Sequence, residues 1–338
     1  MIDLLVAGGG PAGLATAIYG ARAGLEVVVV ERRPLPVDKA CGEGLMPHAV
    51  QQLHRLGADP AGKAFRGITY IDGDCRVTGR FRSGTGLGVR RTTLHSTLVD
   101  AAKAAGVLIV HDEIGAVSQD MSSVRGGDYR ARYLAAADGL HSPIRSALGL
   151  AIPAPGPRRW GIRRHFQTAP WSDNVEVYWS RNAEAYVTPV ADDCVGIAIL
   201  TSHRGGFGDH LAAFPALQDR VRGHADGTDR AAGPLRQKVR TRTAGRVLLV
   251  GDAAGYVDAL TGEGLGISFS AAELLVKCVA SDRPGDYDRQ WRRMSRRYRM
   301  LTAAVLQGSS YAPLRSRMVP TATHFPGVFT GLVNLLAD

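Results

Sequence analysis

Two short apolar runs frame the start of the chain. Ile2–Ala7 is apolar apart from Asp3, and Leu25–Val30 is apolar and largely β-branched, so both read as buried strands. Between them, Pro11–Ala23 repeats Ala, Leu and Ile at helical spacing. The result is a strand–helix–strand unit of the α/β class. Tyr133–Ala137 and Arg246–Val250 read as further buried strands, each running into a glycine-bearing turn. After a crossover at Pro153–Pro157, the segments Trp160–Phe166, Val175–Trp179, Glu184–Val190 and Cys194–Leu200 alternate as strands of an antiparallel sheet. Near the end, Arg289, Arg292, Arg293, Arg296 and Arg297 share one face of a predicted helix over Arg289–Arg299. Trp291, Met294, Tyr298 and Leu301 take another face.

Composition narrows the class. A length of 338 residues suggests about two domains, and 45% hydrophobic with 21% charged residues excludes a mostly disordered chain. The longest apolar stretches are strand-sized, far below the ~20 residues of a membrane helix. The start, MIDLLVAGGGPAGLA, shows no basic leader, so a cytoplasmic protein is expected, at most peripheral to a membrane. Four scattered cysteines without a CxxC pair and ten histidines without ligand spacing point to neither a disulfide framework nor a metal site. The net charge of +10 is almost all arginine, since only five lysines occur. No base-stacking motif accompanies it, so nucleic acid is not an expected partner. The oligomeric state is left open.

The chemistry concentrates in glycine-rich turns. Gly8-Gly9-Gly10-Pro11-Ala12-Gly13 follows a strand and opens a helix. Gly8 permits the tight turn, Gly10 lets backbone approach a pyrophosphate, and Gly13 lets helix and strand pack closely. Glu31, ending the second strand, can accept from a ribose diol. This pattern implies dinucleotide binding without choosing between NAD and FAD. Asp138-Gly139 and Gly251-Asp252 each follow a strand, and Thr261-Gly262-Glu263-Gly264-Leu265-Gly266 opens another helix. Such an Asp can hold a ribityl hydroxyl, and such a helix start can cap an anionic ring.

With GGGPAGL, the segment Val89–Leu94 with Leu98, Asp138-Gly139 and Gly251-Asp252 in this order, the chain resembles a flavoprotein superfamily. It is that of the class A monooxygenases (aromatic hydroxylases) and geranylgeranyl reductases, and the likeness covers most of residues 1–280. The resemblance implies a Rossmann-like FAD domain of glutathione-reductase type over residues 1–70, 88–155 and 240–280. A substrate-binding antiparallel sheet would occupy 71–87 and 156–239, and C-terminal helices 281–338. It places Gly8, Gly10, Ala12 and Gly13 at the FAD pyrophosphate, Glu31 and Arg32 at the adenosine ribose, and Arg91 toward the phosphates. Ile114 would touch adenine through its backbone. Asp138 and Asp252 would lie along the cofactor, Asp252 on the ribityl chain, with Gly264, Leu265 and Gly266 at the pyrimidine edge.

Cys41-Gly42-Glu43-Gly44-Leu45 resembles the turn of geranylgeranyl reductases in which a cysteine lies beside the flavin. Gly42 and Gly44 would allow close approach. Cys41 would contact the ring, act as a catalytic acid or fill space. Tyr178 and Tyr186, with Trp179, are candidates for a substrate pocket between sheet and ring.

The leading expectation is an NAD(P)H-dependent monooxygenase acting on a small apolar aromatic or polyketide-like molecule through a flavin C4a-hydroperoxide. The alternative is reduction of isoprenoid C=C bonds, and a third reading is a carrier or escort protein without redox activity. No second GxGxxG occurs, so NAD(P)H would visit transiently. GDAAGYVDALTGEGLG leans toward the reductases. Tyr186-Val187-Thr188-Pro189-Val190 leans away, lacking their Trp, Phe and Lys, and the chain leaves little for an isoprenoid-covering lid. Halogenation ranks last, for want of a Trp-x-Trp-x-Ile-Pro motif. The basic helix would be a solvated face, or would dock an acidic carrier protein, a phosphorylated substrate or a membrane surface.

Overall fold

The computed structural model describes residues 1–337; residue 338 of the expected C-terminal segment lies outside them. Strand Ile2–Ala7 sits between Val27–Glu31 and Tyr129–Ala136, parallel to both. Val247–Leu249 and Leu108–His111 extend the parallel order on either side. The inner strands are buried on both faces, which is why they read as continuous apolar runs rather than alternating ones. Helices Pro11–Arg22, Arg91–Ala104 and Gly264–Ala280 pack on this sheet and on one another. The turns at Gly8, Asp138 and Gly251 leave the carboxyl ends of its strands, where such sheets place ligands.

A seven-stranded second sheet runs in the order Ala225–Ala232, Trp160–Phe166, Cys194–Thr201, Ala183–Ala191, Val175–Trp179, Gly67–Asp72, Cys75–Arg80. The four strands expected here all form. Three details differ from expectation. Residues 67–70, placed with the nucleotide domain, belong to this sheet. Moreover, Gly67–Asp72 pairs parallel to Val175–Trp179, so the sheet is mixed rather than antiparallel. A parallel neighbour needs a long crossover, and here the connection runs through much of the first domain. Residues 86 and 87, expected with the substrate sheet, instead form strand Gly86–Gly88, which pairs with Gly44–Leu45 and Lys63–Phe65 in a small sheet.

The C-terminal segment is more substantial than expected. The single helix Arg289–Arg299 is two, Tyr287–Met294 and Arg296–Ser310, parted at the fully buried Ser295, whose hydroxyl bonds back to the Trp291 carbonyl at 2.9 Å. Helices Ala312–His324 and Pro326–Ala337 follow and pack on strand Cys75–Arg80. Leu306, Val319, Phe329 and Val333 join Val77, Val177 and Trp179 in one apolar cluster. Arg315 locks this cover to the sheet through Glu184 at 2.5 Å. The second sheet therefore does carry a helical lid. Among the described residues, no helix is long and apolar enough to cross a membrane.

Candidate active site

The first turn is built by exclusion. Gly8 has φ +107°, and a Cβ there would lie 2.5 Å from the Ala137 carbonyl oxygen. A Cβ on Gly13 would overlap the Gly8 carbonyl. Gly10 differs: nothing lies within 4 Å of its would-be Cβ, and it caps helix Pro11–Arg22 with no side chain of its own. The N–H groups of Ala12 and Gly13 are thus left for an external acceptor. Glu31 braces the turn, accepting from Gly9 N at 2.8 Å and Arg33 N at 3.0 Å. His95 meets the Gly9 carbonyl at 2.7 Å from the other side. Sequence reasoning missed this histidine, although it stands one helical turn after Arg91. Arg32 is half exposed and pairs with Glu113 at 2.8 Å. The Ile114 side chain packs under Gly126 beside Leu5 and Leu134.

The Asp138 and Asp252 turns are bolted together by Arg145. Its guanidinium donates to the carbonyls of Asp252 (3.3 Å), Ala253 (3.2 Å) and Leu140 (2.8 Å). Asp138 spends one oxygen on the Ile144 N–H at 3.1 Å, holding the start of helix Pro143–Ala147. Burial raises the pKa of Asp252, while Lys39, Arg91 and Arg145 oppose that rise. Lys39 is the mirror case: burial pushes its pKa down, and Asp252 and Glu31 hold it up. A cation between the two carboxylates expected at opposite ends of a dinucleotide was not anticipated.

At the third turn, helix Gly264–Ala280 begins with no side-chain cap. Its first N–H groups are unspent and carry the positive end of the helix dipole. Leu265 points its side chain into the first-domain core. Gly266 is needed for packing, because the His48 ring occupies the space a Cβ would take. Any cofactor contact by these two residues is therefore through backbone. Glu263 is buried, its Oε1 has no partner, and burial raises its pKa to about 8.

The Cys41 turn meets the second sheet through Glu43, which adopts φ +60° although it is not glycine. Its Oε1 accepts from Arg91 N at 2.8 Å, and its Oε2 lies 2.8 Å from His165 Nε2. Its N–H donates to Cys41 Sγ at 3.4 Å. Burial pushes the Cys41 thiol pKa up, and Arg91 pulls against it. Gly42 has open space beside it, and its carbonyl accepts from Thr188 at 2.8 Å. Gly44 pairs with Gly88 in the small sheet. The buried cluster of Glu43, Arg163 and His165 went unrecognised in the sequence, since Glu43 lies over a hundred residues from the other two.

The two tyrosines part company. Tyr186 packs in the cluster that contains the helical lid and donates to the Leu260 carbonyl at 3.0 Å, just before the third turn. Tyr178 lies on the opposite face, with Trp171 against Phe207 and Leu211, and donates to Glu176 at 2.8 Å. The expected substrate contact is not available to it, because the strand's alternation turns it away from the cofactor turns.

These residues suit an extended dinucleotide. Arg91 is 5% exposed, yet its Nη1 has no partner, and Asp138 Oδ1 is likewise buried and unpartnered. The uncapped helix starts at Gly10 and Gly264 leave N–H groups that can receive phosphate and ring oxygens, and Gly10 has open space beside it.

Residues 1–290 match the family model described as FAD binding domain. The chain is 28% identical to a menaquinone reductase of Mycobacterium tuberculosis, over 82% of this chain and 76% of that protein. It is 27% identical to digeranylgeranylglycerophospholipid reductase 1 of Methanopyrus kandleri, covering 83% and 82% respectively. Among solved structures, p-nitrophenol 4-monooxygenase PnpA of Pseudomonas putida superposes with a TM-score of 0.81 at 18% identity. That match covers 100% of this chain and 97% of PnpA, and it establishes likeness of fold.

Proposed function

The chain belongs to the FAD binding domain family and is an FAD-dependent oxidoreductase; on that premise we propose that it reduces a carbon–carbon double bond of a small, apolar, isoprenoid-type molecule. The observation that carries this reading is the Cys41–Glu43 turn, where the Glu43 N–H donates to the Cys41 thiol and the Glu43 carboxylate is buried at the seam of the two sheets. The reductase names of the similar proteins support it.

FAD, when bound, supplies hydride chemistry. Gly8–Gly13, Arg91 and Asp252 would hold its phosphates and ribityl chain, and the N–H groups at Gly264–Gly266 its pyrimidine edge. Saturating the bond also needs a proton. Burial keeps the Cys41 thiol protonated at neutral pH, so Sγ can deliver that proton to carbon as the hydride arrives. The Glu43 N–H and the Arg91 charge stabilise the thiolate left behind. NAD(P)H is proposed as a transient reductant. The arginines of Arg289–Arg299 are in part spent within the chain, which weighs against docking of a carrier protein or membrane there. Arg289, Arg292 and Arg297 bond to Asp286, Asp288 and the Leu335 carbonyl, and Arg299 lies over Trp291.

The deciding experiment uses the purified protein with its flavin absorbance recorded, reduced anaerobically, and offered a prenyl quinone or polyprenyl alcohol. A product gaining two hydrogens without O2 supports the proposal. A product that forms only with O2 and gains one oxygen overturns it in favour of monooxygenation. Absence of flavin supports the carrier reading.

A further inference from the structure

A cavity of about 630 Å³ opens beside the candidate cofactor site, with Asp252 and Gly264 in its wall. Six basic side chains line it: Arg236, Lys238, Arg240, Arg242, Arg292 and Arg299. They come from the connection around Lys238–Val239 and from helices Tyr287–Met294 and Arg296–Ser310, so no single window of sequence reveals the cluster.

Their charges are not balanced. Asp288 takes Arg242 at 2.9 Å and Arg292 at 2.7 Å. Among the described residues, no carboxylate lies within ion-pair distance of Arg236, Lys238, Arg240 or Arg299. Arg242 and Arg299 lie over the same indole, their guanidinium carbons 3.5 and 5.8 Å from the centroid of Trp291. Arg242 is 7% exposed and cannot swing into solvent to escape its neighbour. Burial lowers its pKa to about 10; Asp288 opposes the drop and the Arg299 charge adds to it. Confined like charges repel, and a polyvalent anion between them converts repulsion into charge-assisted hydrogen bonds. Arginine forks suit phosphoryl oxygens in particular. Val257, Ile267 and Met300 share the wall, so the site suits a molecule that also has an uncharged part.

We propose that this cavity binds the phosphate or diphosphate group of a ligand lying alongside the flavin. The site deepens the function proposed above and rests on it for the flavin's position. Two sources share the chemistry, a diphosphate on the apolar substrate and the 2′-phosphate of NADPH.

The test titrates inorganic diphosphate into the FAD-loaded 338-residue chain by calorimetry. The expected result is one site, weakened at least tenfold by Arg236→Gln with Lys238→Gln, and likewise by Arg299→Gln. Arg125→Gln, an exposed arginine elsewhere, leaves it unchanged. No binding to a flavin-loaded protein, or equal binding by all variants, overturns the inference. If the purified chain carries no flavin yet still binds diphosphate with the same variant pattern, the cavity stands and the proposed function falls. The source is then read from two pairs, NADPH against NADH and farnesyl diphosphate against farnesol. The cavity variants weaken only the more phosphorylated member of the pair that the site serves, and an effect on neither pair overturns the proposal.

Discussion

His165 Nε2 lies 2.8 Å from Glu43 Oε2, joining the second sheet to the turn that carries Cys41. On the other side of the ring, Nδ1 faces Arg163 at 3.1 Å and Arg90 at 3.3 Å. Guanidinium groups only donate, so Nδ1 must accept, and Nε2 carries the hydrogen that it donates to Glu43. The carboxylate is fully engaged: imidazole on one oxygen, the Arg91 backbone on the other. Removing Glu43 leaves the His165 Nε2–H and the Arg91 backbone N–H buried without an acceptor, so Glu43→Ala should destabilise the fold by about 1–3 kcal/mol for each of the two. Glycine is at ease at φ +60°, so Glu43→Gly should lose about 1 kcal/mol less than alanine. Urea denaturation of the two variants checks this, and equal losses contradict the strain argument.

The glycine turn separates folding from binding. Gly13→Ala pushes a methyl into the Gly8 carbonyl and should yield a destabilised protein without flavin. Gly10→Ala meets no protein atom. It should leave thermal stability nearly unchanged while lowering flavin occupancy, because the methyl enters the space assigned to the pyrophosphate. Flavin absorbance per polypeptide and melting temperature, measured together, distinguish the two. Full occupancy in Gly10→Ala would remove the pyrophosphate from this turn.

If Cys41 supplies the proton, Cys41→Ala should cut turnover by about 10²-fold or more. Flavin content and the rate of anaerobic flavin reduction by NAD(P)H should stay near wild type. Turnover unchanged in this variant would return Cys41 to the role of a packing residue.

Glu263 predicts a pH effect on stability. Its folded pKa of about 8 stands above the ordinary glutamate value of 4.5, so the native state holds a proton that the unfolded chain releases. This contribution is fully present below pH 4.5 and fades as pH rises toward 8, by at most about 1.4 kcal/mol per unit. Glu263→Gln should flatten that part of the profile and gain on wild type as pH increases. Parallel profiles between pH 5 and 8 would rule out a buried, protonated Glu263.

The two tyrosines give an internal comparison. Tyr178→Phe removes the bond to Glu176 on the far side of the sheet. It should cost about 1 kcal/mol of stability with turnover unchanged. Tyr186→Phe frees the Leu260 carbonyl, which anchors the approach to the Gly264 helix, and should lower turnover severalfold. Steady-state kinetics on both variants tests the assignment of faces.

Local physics made much of this protein legible from its residues alone. Buried parallel strands must be apolar throughout, tight turns against a helix start must be glycine, and a carboxylate at a strand end stands out in such a run. The α/β class, the strands at Trp160–Phe166 and Cys194–Thr201, and the turns at Gly8, Asp138 and Gly251 followed from such rules. What depends on distant partners did not. Period-2 alternation tells that Tyr178 and Tyr186 each face one side of a strand, but only the packed layers decide which side holds the cofactor turns. The parallel pairing of Gly67–Asp72 with Val175–Trp179, the Glu43–His165 contact and the six-cation cavity each join segments separated by tens to hundreds of residues. Their cause is the path of the chain through space, and no window of sequence contains it.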